Sequence, residues 1–188
     1  MERMLAKLMT FWMPIPKSRK KVLVIKLRSW LFRRGLRKTV KFGRDIRIEK
    51  KCVFTRGSEV GDCTKLAGIH VFGKGKIKIG AHCQLSWNLR VHTSNHDYQG
   101  DMLPFGSGNT VKDVEIGDCV WIGSDVLLLP GTKIGEGSII QGGSVVHGEI
   151  PPCSIAGGNP AKVFAHRDRG HYEKLKAENR FFPHTEGW

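Results

Sequence analysis

The chain has 188 residues, a formal net charge of +14 and 40% hydrophobic residues. No apolar run reaches the roughly 18 residues that a membrane-spanning helix needs. Five cysteines, an odd number without a Cys-x-x-Cys pair, rule out a tidy disulfide framework and fit reduced thiols.

The charge is not evenly spread. Residues 1–41 hold thirteen Lys or Arg and one acidic residue, a balance of +12 that leaves only +2 for residues 42–188. Met4, Leu8, Phe11 and Trp12 fall at helical spacing before Pro14 and Pro16 end that segment. A second stretch, Arg19 to Arg34, interleaves Leu23, Leu27, Trp30 and Leu31 with at least six cations. This is the composition of an interfacial helix on anionic lipid, where each Lys or Arg contributes about 1 kcal/mol. A solvated tail and a nucleic-acid-binding arm are the alternatives, and no nucleic-acid-reading motif accompanies the charge. Met1 to Met13 does not read as a signal peptide, because Lys7 interrupts it and Pro14, Pro16 and a basic cluster follow, so a cytoplasmic location is expected.

From Phe42 a six-residue clock begins: Phe42, Ile48, Phe54, Val60, Leu66 and Phe72, with Ile46, Cys52, Ser58, Thr64, His70 and Lys76 four places after each. One extra residue in Gly73-Lys74-Gly75-Lys76 shifts the phase, which resumes at Ile79, Leu85 and Val91 with Cys83, Leu89 and Asn95 as companions. The period stops at His96. Residues 97–115 lack it and carry Gly100, Pro104, Gly106, Gly108 and Asn109, so they read as an ejected loop. It restarts at Ile116, Ile122, Leu128, Ile134, Ile140 and Val146, followed by Val120, Val126, Thr132, Ser138, Ser144 and Ile150.

A period of six fits neither a helix nor a lone alternating strand, but it fits a solenoid with three flat sides per turn. Each first-position residue then stacks on its equivalent one turn away at about 4.8 Å. Cys52 and Cys83 fall inward, where a small hydrophobe suits. Gly61, Gly80, Gly117, Gly123 and Gly135 are expected where the chain turns a corner, since glycine tolerates a positive φ there. The open first coil needs a cover, and Val22 to Ile25 of the basic arm could supply it. Residues 165–188 read as a short helix with Tyr172 and Leu175 at helical spacing, then an aromatic tail.

The runs Ile116-Gly-Asp-Cys-Val-Trp-Ile-Gly-Ser124, Leu129-Pro-Gly-Thr-Lys-Ile-Gly135, Ile155-Ala-Gly-Gly-Asn-Pro-Ala-Lys162 and Thr93-Ser-Asn-His-Asp97 resemble the hexapeptide-repeat acyltransferases, in the branch of the maltose and galactoside O-acetyltransferases. The resemblance covers residues 42–164. It implies a left-handed parallel β-helix, against the usual crossover hand, acetyl-CoA as acyl donor without a metal, and a homotrimer with active sites between protomers.

It also implies roles. His96 corresponds to the catalytic base, and Asp97 follows it as a candidate to hold the imidazole tautomer or to cap the loop. Ser124 and Gly142 correspond to positions along the pantetheine arm, with Gly143 and Ser144 adjoining, and Lys162 lies near the nucleotide. Where relatives carry a Thr-Lys pair this chain has His147-Gly148, and a second terminal cation is replaced by Ala165 beside His166 and Arg167. The acceptor-binding Asn and Asp of the sugar acetyltransferases are missing near Leu66 and Lys74. A free disaccharide is therefore not the expected acceptor, and the basic arm points to a membrane-held polysaccharide or lipopolysaccharide precursor. Trp87, Asn88, His92, Asn95 and Tyr98 are the candidates for sugar contact.

Three other readings stay open. A γ-carbonic-anhydrase-like zinc enzyme would use His70, His92 and His96. An N-acetyltransferase of a nucleotide-linked amino sugar would share the scaffold, and a non-catalytic solenoid would use it only for binding.

Overall fold

The computed structural model of the chain describes residues 20–182. Helix α1 (Lys20–Leu36) leads into a triangular coil, and helix α2 (Arg169–Ala177) follows it. The Met4, Leu8, Phe11 and Trp12 segment lies outside the described residues.

Three parallel sheets form the sides. The first stacks β1 (Val40–Phe42), β3 (Ser58–Val60), β6 (Ile77–Ile79), β11 (Val114–Ile116), β14 (Lys133–Ile134) and β17 (Glu149–Ile150) in that order. The second runs from β2 (Arg47–Ile48) through β4 (Lys65–Leu66), β7 (Gln84–Leu85), β12 (Trp121–Ile122) and β15 (Ile139–Ile140) to β18 (Ser154–Gly158). Antiparallel β19 (Ala161–His166) closes its end. The third holds β5 (Ile69–Phe72), β8 (Leu89–His92), β13 (Leu127–Leu128) and β16 (Val145–Val146).

The register confirms the clock. Ile122 lies between Leu85 and Ile140, Leu128 between Val91 and Val146, and Ile116 between Ile79 and Ile134. All of these residues are buried. Most companions fill the corners of the same core, and the buried polar ones are satisfied; His70, Lys76 and Asn95 are instead exposed, because the phase shift around β5 and the departure of the ribbon turn them out of the core. Thr132 Oγ1 donates to the Val146 carbonyl at 3.0 Å, and Ser138 Oγ to that of Pro151 at 2.8 Å. A hydroxyl buried in this way costs little because its bond replaces the water it lost.

Other details differ from expectation. Phe72 is not a core residue; Val71 takes the inward place opposite Val91, and Phe72 is 38% exposed. The chain reaches the third side one residue early, at Val71, and makes up the difference before Ile79, so the irregularity brackets β5 instead of lying wholly in Gly73–Lys76. Gly61, Gly80, Gly117, Gly123 and Gly135 are likewise not positive-φ residues. They are glycine because the next coil leaves no room: a Cβ on Gly123 would lie 2.5 Å from the Gly142 nitrogen, and one on Gly117 2.7 Å from that of Glu136. The left-handed conformation falls two residues later, at Cys63, His82, Cys119, Asp125 and Gly137.

Helix α1 lies over the first coil. The amides of Arg47 in β2 and of Glu49 just after it donate to the second coil, at the Thr64 and Leu66 carbonyls. Ile48, between them, therefore turns its N–H and C=O to the open end. Ser29 meets both: its Oγ accepts from the Ile48 amide at 2.8 Å and donates to the carbonyl at 3.4 Å. Phe32 and Leu36 pack on the core, and Arg33 donates to the Gly43 carbonyl.

Candidate active site

After β8 the chain leaves the coil as an antiparallel ribbon, β9 (Ser94–His96) with β10 (Asn109–Val111), and has rejoined the first sheet by Val114. His96 ends β9 opposite Asn109, with an exposed side chain. Its ring stacks on Phe105 from the ribbon tip, centroids 3.9 Å apart and planes within 10°. One face of the imidazole is thus covered while the residue as a whole stays exposed.

Asp97 organises the tip. Its Oδ1 accepts from the Gln99 amide at 3.0 Å, and its carbonyl accepts from Gly100 and Gly106. These bonds are those of a loop cap. Asn95 pairs with Thr110 on the ribbon, and Tyr98 is 76% exposed at its tip.

The remaining candidates gather elsewhere, on the corner between the second and third sheets. Trp87 and Asn88, Ser124 and Asp125, and Gly142 and Gly143 occupy it in three successive coils. The Asp125 amide donates to the Trp87 carbonyl at 3.0 Å and the Gly143 amide to that of Ser124 at 2.8 Å. Asn88, Asp125 and Gly143 all have φ near +60 to +74°. Asn88 Nδ2 donates to Asp125 Oδ1 at 2.7 Å, so its amide is engaged in holding the corner. A Cβ on Gly143 would meet nothing within 4 Å, which leaves its outer surface open to a long ligand. Ser144 turns inward, with Oγ donating to the Gln141 carbonyl and accepting from the Gly158 amide. Lys162 is exposed on β19, paired with Gly157.

Below Asn88 the corner widens into a groove of about 270 Å³ between Lys50, Lys51, Gly68, His70 and Trp87. Lys50 Nζ lies 4.7 Å from the Trp87 ring centre, a cation–π contact. His70 stacks on Phe72, which in turn packs against His92 at 5.1 Å. Burial, with Lys51 second, pushes the His70 imidazole below its ordinary range. The phenyl ring between His70 and His92 does not suit a shared zinc, and no three His, Cys, Asp or Glu side chains among the described residues are placed to hold a metal.

Within one protomer the four residues of β8, about 13 Å of strand, separate the Asn88 corner from the foot of the ribbon. The structure therefore sorts the candidates into two sets, His96 with Asp97, Asn95 and Tyr98 on the ribbon, and Trp87, Asn88, Ser124 and Gly142 on the corner. His92 stands between them. Phe105 belongs with the first set but was invisible in the sequence, where it is one more residue of an aperiodic loop. Trp121, half exposed on β12, borders a second groove of about 500 Å³ under α2 with His82, Tyr172 and Phe181.

Comparison with known proteins agrees with this architecture. The pattern described as bacterial transferase hexapeptide (six repeats) matches residues 113–148. A Staphylococcus aureus protein, provisionally named an acetyltransferase, is 34% identical over 124 residues, 66% of this chain and 53% of its own length. The chain spans about half the length of the curated relatives it matches. The maltose O-acetyltransferase of Clostridium difficile superposes with a TM-score of 0.65 at 29% identity, covering 88% of this chain and 83% of that one. A galactoside acetyltransferase solved with coenzyme A gives 0.65 at 22% identity, over 93% and 81% of the two chains. The chain is a hexapeptide-repeat protein, built as the left-handed parallel β-helix of the acyltransferases with that repeat.

Proposed function

We propose that the protein is an acetyl-CoA-dependent O-acetyltransferase acting on a sugar hydroxyl of a membrane-linked surface glycan, a polysaccharide or lipopolysaccharide precursor, at the cytoplasmic face of the membrane. The observation that carries this reading is His96, exposed at the tip end of the ribbon strands and held flat against Phe105, on a scaffold shared with a maltose O-acetyltransferase.

The chemistry needs one base. The acceptor oxygen attacks the thioester carbonyl carbon while its proton passes to the His96 imidazole, the side chain type that titrates nearest neutrality. Collapse of the tetrahedral intermediate breaks the C–S bond, and the imidazolium returns the proton to the departing CoA thiolate. No acyl-enzyme forms. Backbone N–H groups of a neighbouring coil would stabilise the oxyanion, and Asp97 would act by fixing the tip that presents Phe105.

Coenzyme A would lie along the corner of Ser124, Gly142 and Gly143, with Lys162 toward its phosphates; Ser144 would contribute only backbone. The whole of β8 lies between that corner and the ribbon that carries His96 in one protomer, which supports a homotrimer in which the ribbon of one protomer closes on the corner of the next. Trp87, Asn88, His92, Asn95 and Tyr98 would then line the acceptor path. The basic arm, residues 1–41, would hold the assembly on anionic lipid. Among the described residues no helix is long and apolar enough to cross a membrane.

The test is turnover of acetyl-CoA, followed as released thiol, with isolated membrane glycolipid as acceptor. His96→Asn should lower kcat by about 10²- to 10⁴-fold with CoA binding unchanged. Undiminished turnover in that variant would contradict the assignment.

A further inference from the structure

Helix α1 has two opposed faces. Ser29, Phe32 and Leu36 face the first coil, with Ser29 at 5% exposure and Phe32 and Leu36 on the core. Leu27, Trp30 and Arg34, at the same three- and four-residue spacing on the other side, are exposed, Leu27 at 48% and Trp30 at 52%, and exposed Arg37 and Lys38 follow in the turn after the helix. The Arg34 guanidinium lies 5.3 Å from the Trp30 ring centre. Beside this stripe runs an open groove of about 640 Å³ whose walls include Trp30, Phe42 and four cations, Arg33, Arg34, Arg37 and Lys41. Residues 20–41 contain nine Lys or Arg and no acidic residue. An exposed Trp and Leu ringed by cations is a surface for an anionic bilayer, with the rings at headgroup level and the guanidinium groups on lipid phosphates.

The position of this helix adds something that composition alone does not. Since α1 closes the end of the solenoid, its outer stripe looks along the coil axis. We propose that the chain stands end-on on an anionic membrane through Leu27, Trp30, Arg34, Arg37 and Lys38, so that the coil axis rises from the lipid surface and the acceptor reaches the ribbon from that same surface. His96 leaves the third coil. Two coil spacings of about 4.8 Å and a helix of about 10 Å diameter set it about 20 Å above the lipid. The acceptor is accordingly a lipid-linked glycan whose reactive hydroxyl stands several sugar units from the lipid phosphate, not a sugar joined directly to it. The acceptor part of this inference rests on the acetyltransferase reading; the membrane part does not.

The experiment is flotation of the full chain with phosphatidylcholine vesicles, with and without phosphatidylglycerol. The wild type should float only with phosphatidylglycerol, and the Arg34→Glu, Arg37→Glu pair should lower the bound fraction roughly tenfold or more, as should Trp30→Ala to a lesser degree. Both sites are exposed, and unchanged melting would show that the fold is retained. In parallel, the charge-reversed chain should keep acetyl-CoA binding while losing acetylation of glycolipid in vesicles. Wild type that stays with the pellet, a charge-reversed chain that floats as well as wild type, or binding to polyuridylate but to no vesicle would overturn the proposal. Flotation as expected with no binding of acetyl-CoA would instead overturn the acetyltransferase reading and leave the docking surface standing.

Discussion

His96 shows how much depends on a residue's place in the repeat. Of eight histidines, this one stands where the period breaks, which was legible in the sequence; that the chain leaves the coil at Ser94 and carries His96 out on a ribbon was not. Nor was its stacking partner Phe105, because an aperiodic loop gives no register from which to infer contact. Cysteines behave the opposite way, since an inward phase in a hexapeptide repeat specifies their surroundings completely. Cys52 and Cys83 are buried and unpaired, and burial pushes both thiols up to about 12. At pH 8 on the order of one molecule in 10⁴ would carry either thiolate. Iodoacetamide should therefore leave both unlabelled in the native chain and label them after unfolding, as peptide mass spectrometry would show; native labelling would mean the first and third coils open readily.

Helices at the two ends do work the repeat does not announce. The sequence located α1 by composition and suggested Val22 to Ile25 as the cover for the first coil, but Ser29 was hidden among cations, and it is Ser29 that satisfies both polar groups of Ile48. Ser29→Ala would leave those groups unpaired under the helix, at a cost of about 1–3 kcal/mol, and the melting temperature should fall by several degrees in calorimetry. A change within error would mean that water serves the edge equally well. At the other end Asp168 caps α2 through the His171 amide. The Glu136 carboxylate accepts from Tyr172 Oη at 2.7 Å and from Lys176, and Phe181 stacks on His82. The Lys176 bond, then Tyr172, holds the Glu136 carboxyl below its ordinary range against the opposing effect of burial. A depressed carboxylate stabilises the fold above its unfolded value, and the contribution is lost as pH falls through the folded one. Acidification below about pH 4 should therefore loosen α2, read as a change in Trp121 emission in a chain whose other tryptophans are Phe. Glu136→Gln should abolish that acid step, and a step of equal size in the variant would assign it to another group.

At the scale of the molecule the three sides are chemically unequal. The outward residues of the first sheet alternate in charge from coil to coil: Lys41, Glu59, Lys78, Glu115, Lys133 and Glu149, each paired in register with the next. Opposite charges at strand spacing suit a face that stays in water. The outward positions of the later coils are apolar on the other two sides, with Trp121, Ile139 and Ile155 on the second sheet and Leu127 and Val145 on the third. The sequence carried this asymmetry in full, because strand alternation assigns every outward residue once the six-residue phase is known. What it could not carry was the distance between the ribbon and the Ser124 corner, which depends on how many residues of β8 lie flat between them. That separation turns two sets of site residues, each incomplete alone, into an argument for a site shared by neighbouring protomers.

Complementation between two inactive variants tests that sharing most directly. His96→Asn removes the base, and Ser124→Trp, at an exposed position on the corner, blocks it, so each assembly alone should fail to release CoA. Unfolded together and refolded as mixed oligomers, they should regain about a quarter of wild-type turnover, since random mixing pairs an intact ribbon with an intact neighbouring corner at that frequency. A mixture as inactive as its components would contradict the shared site.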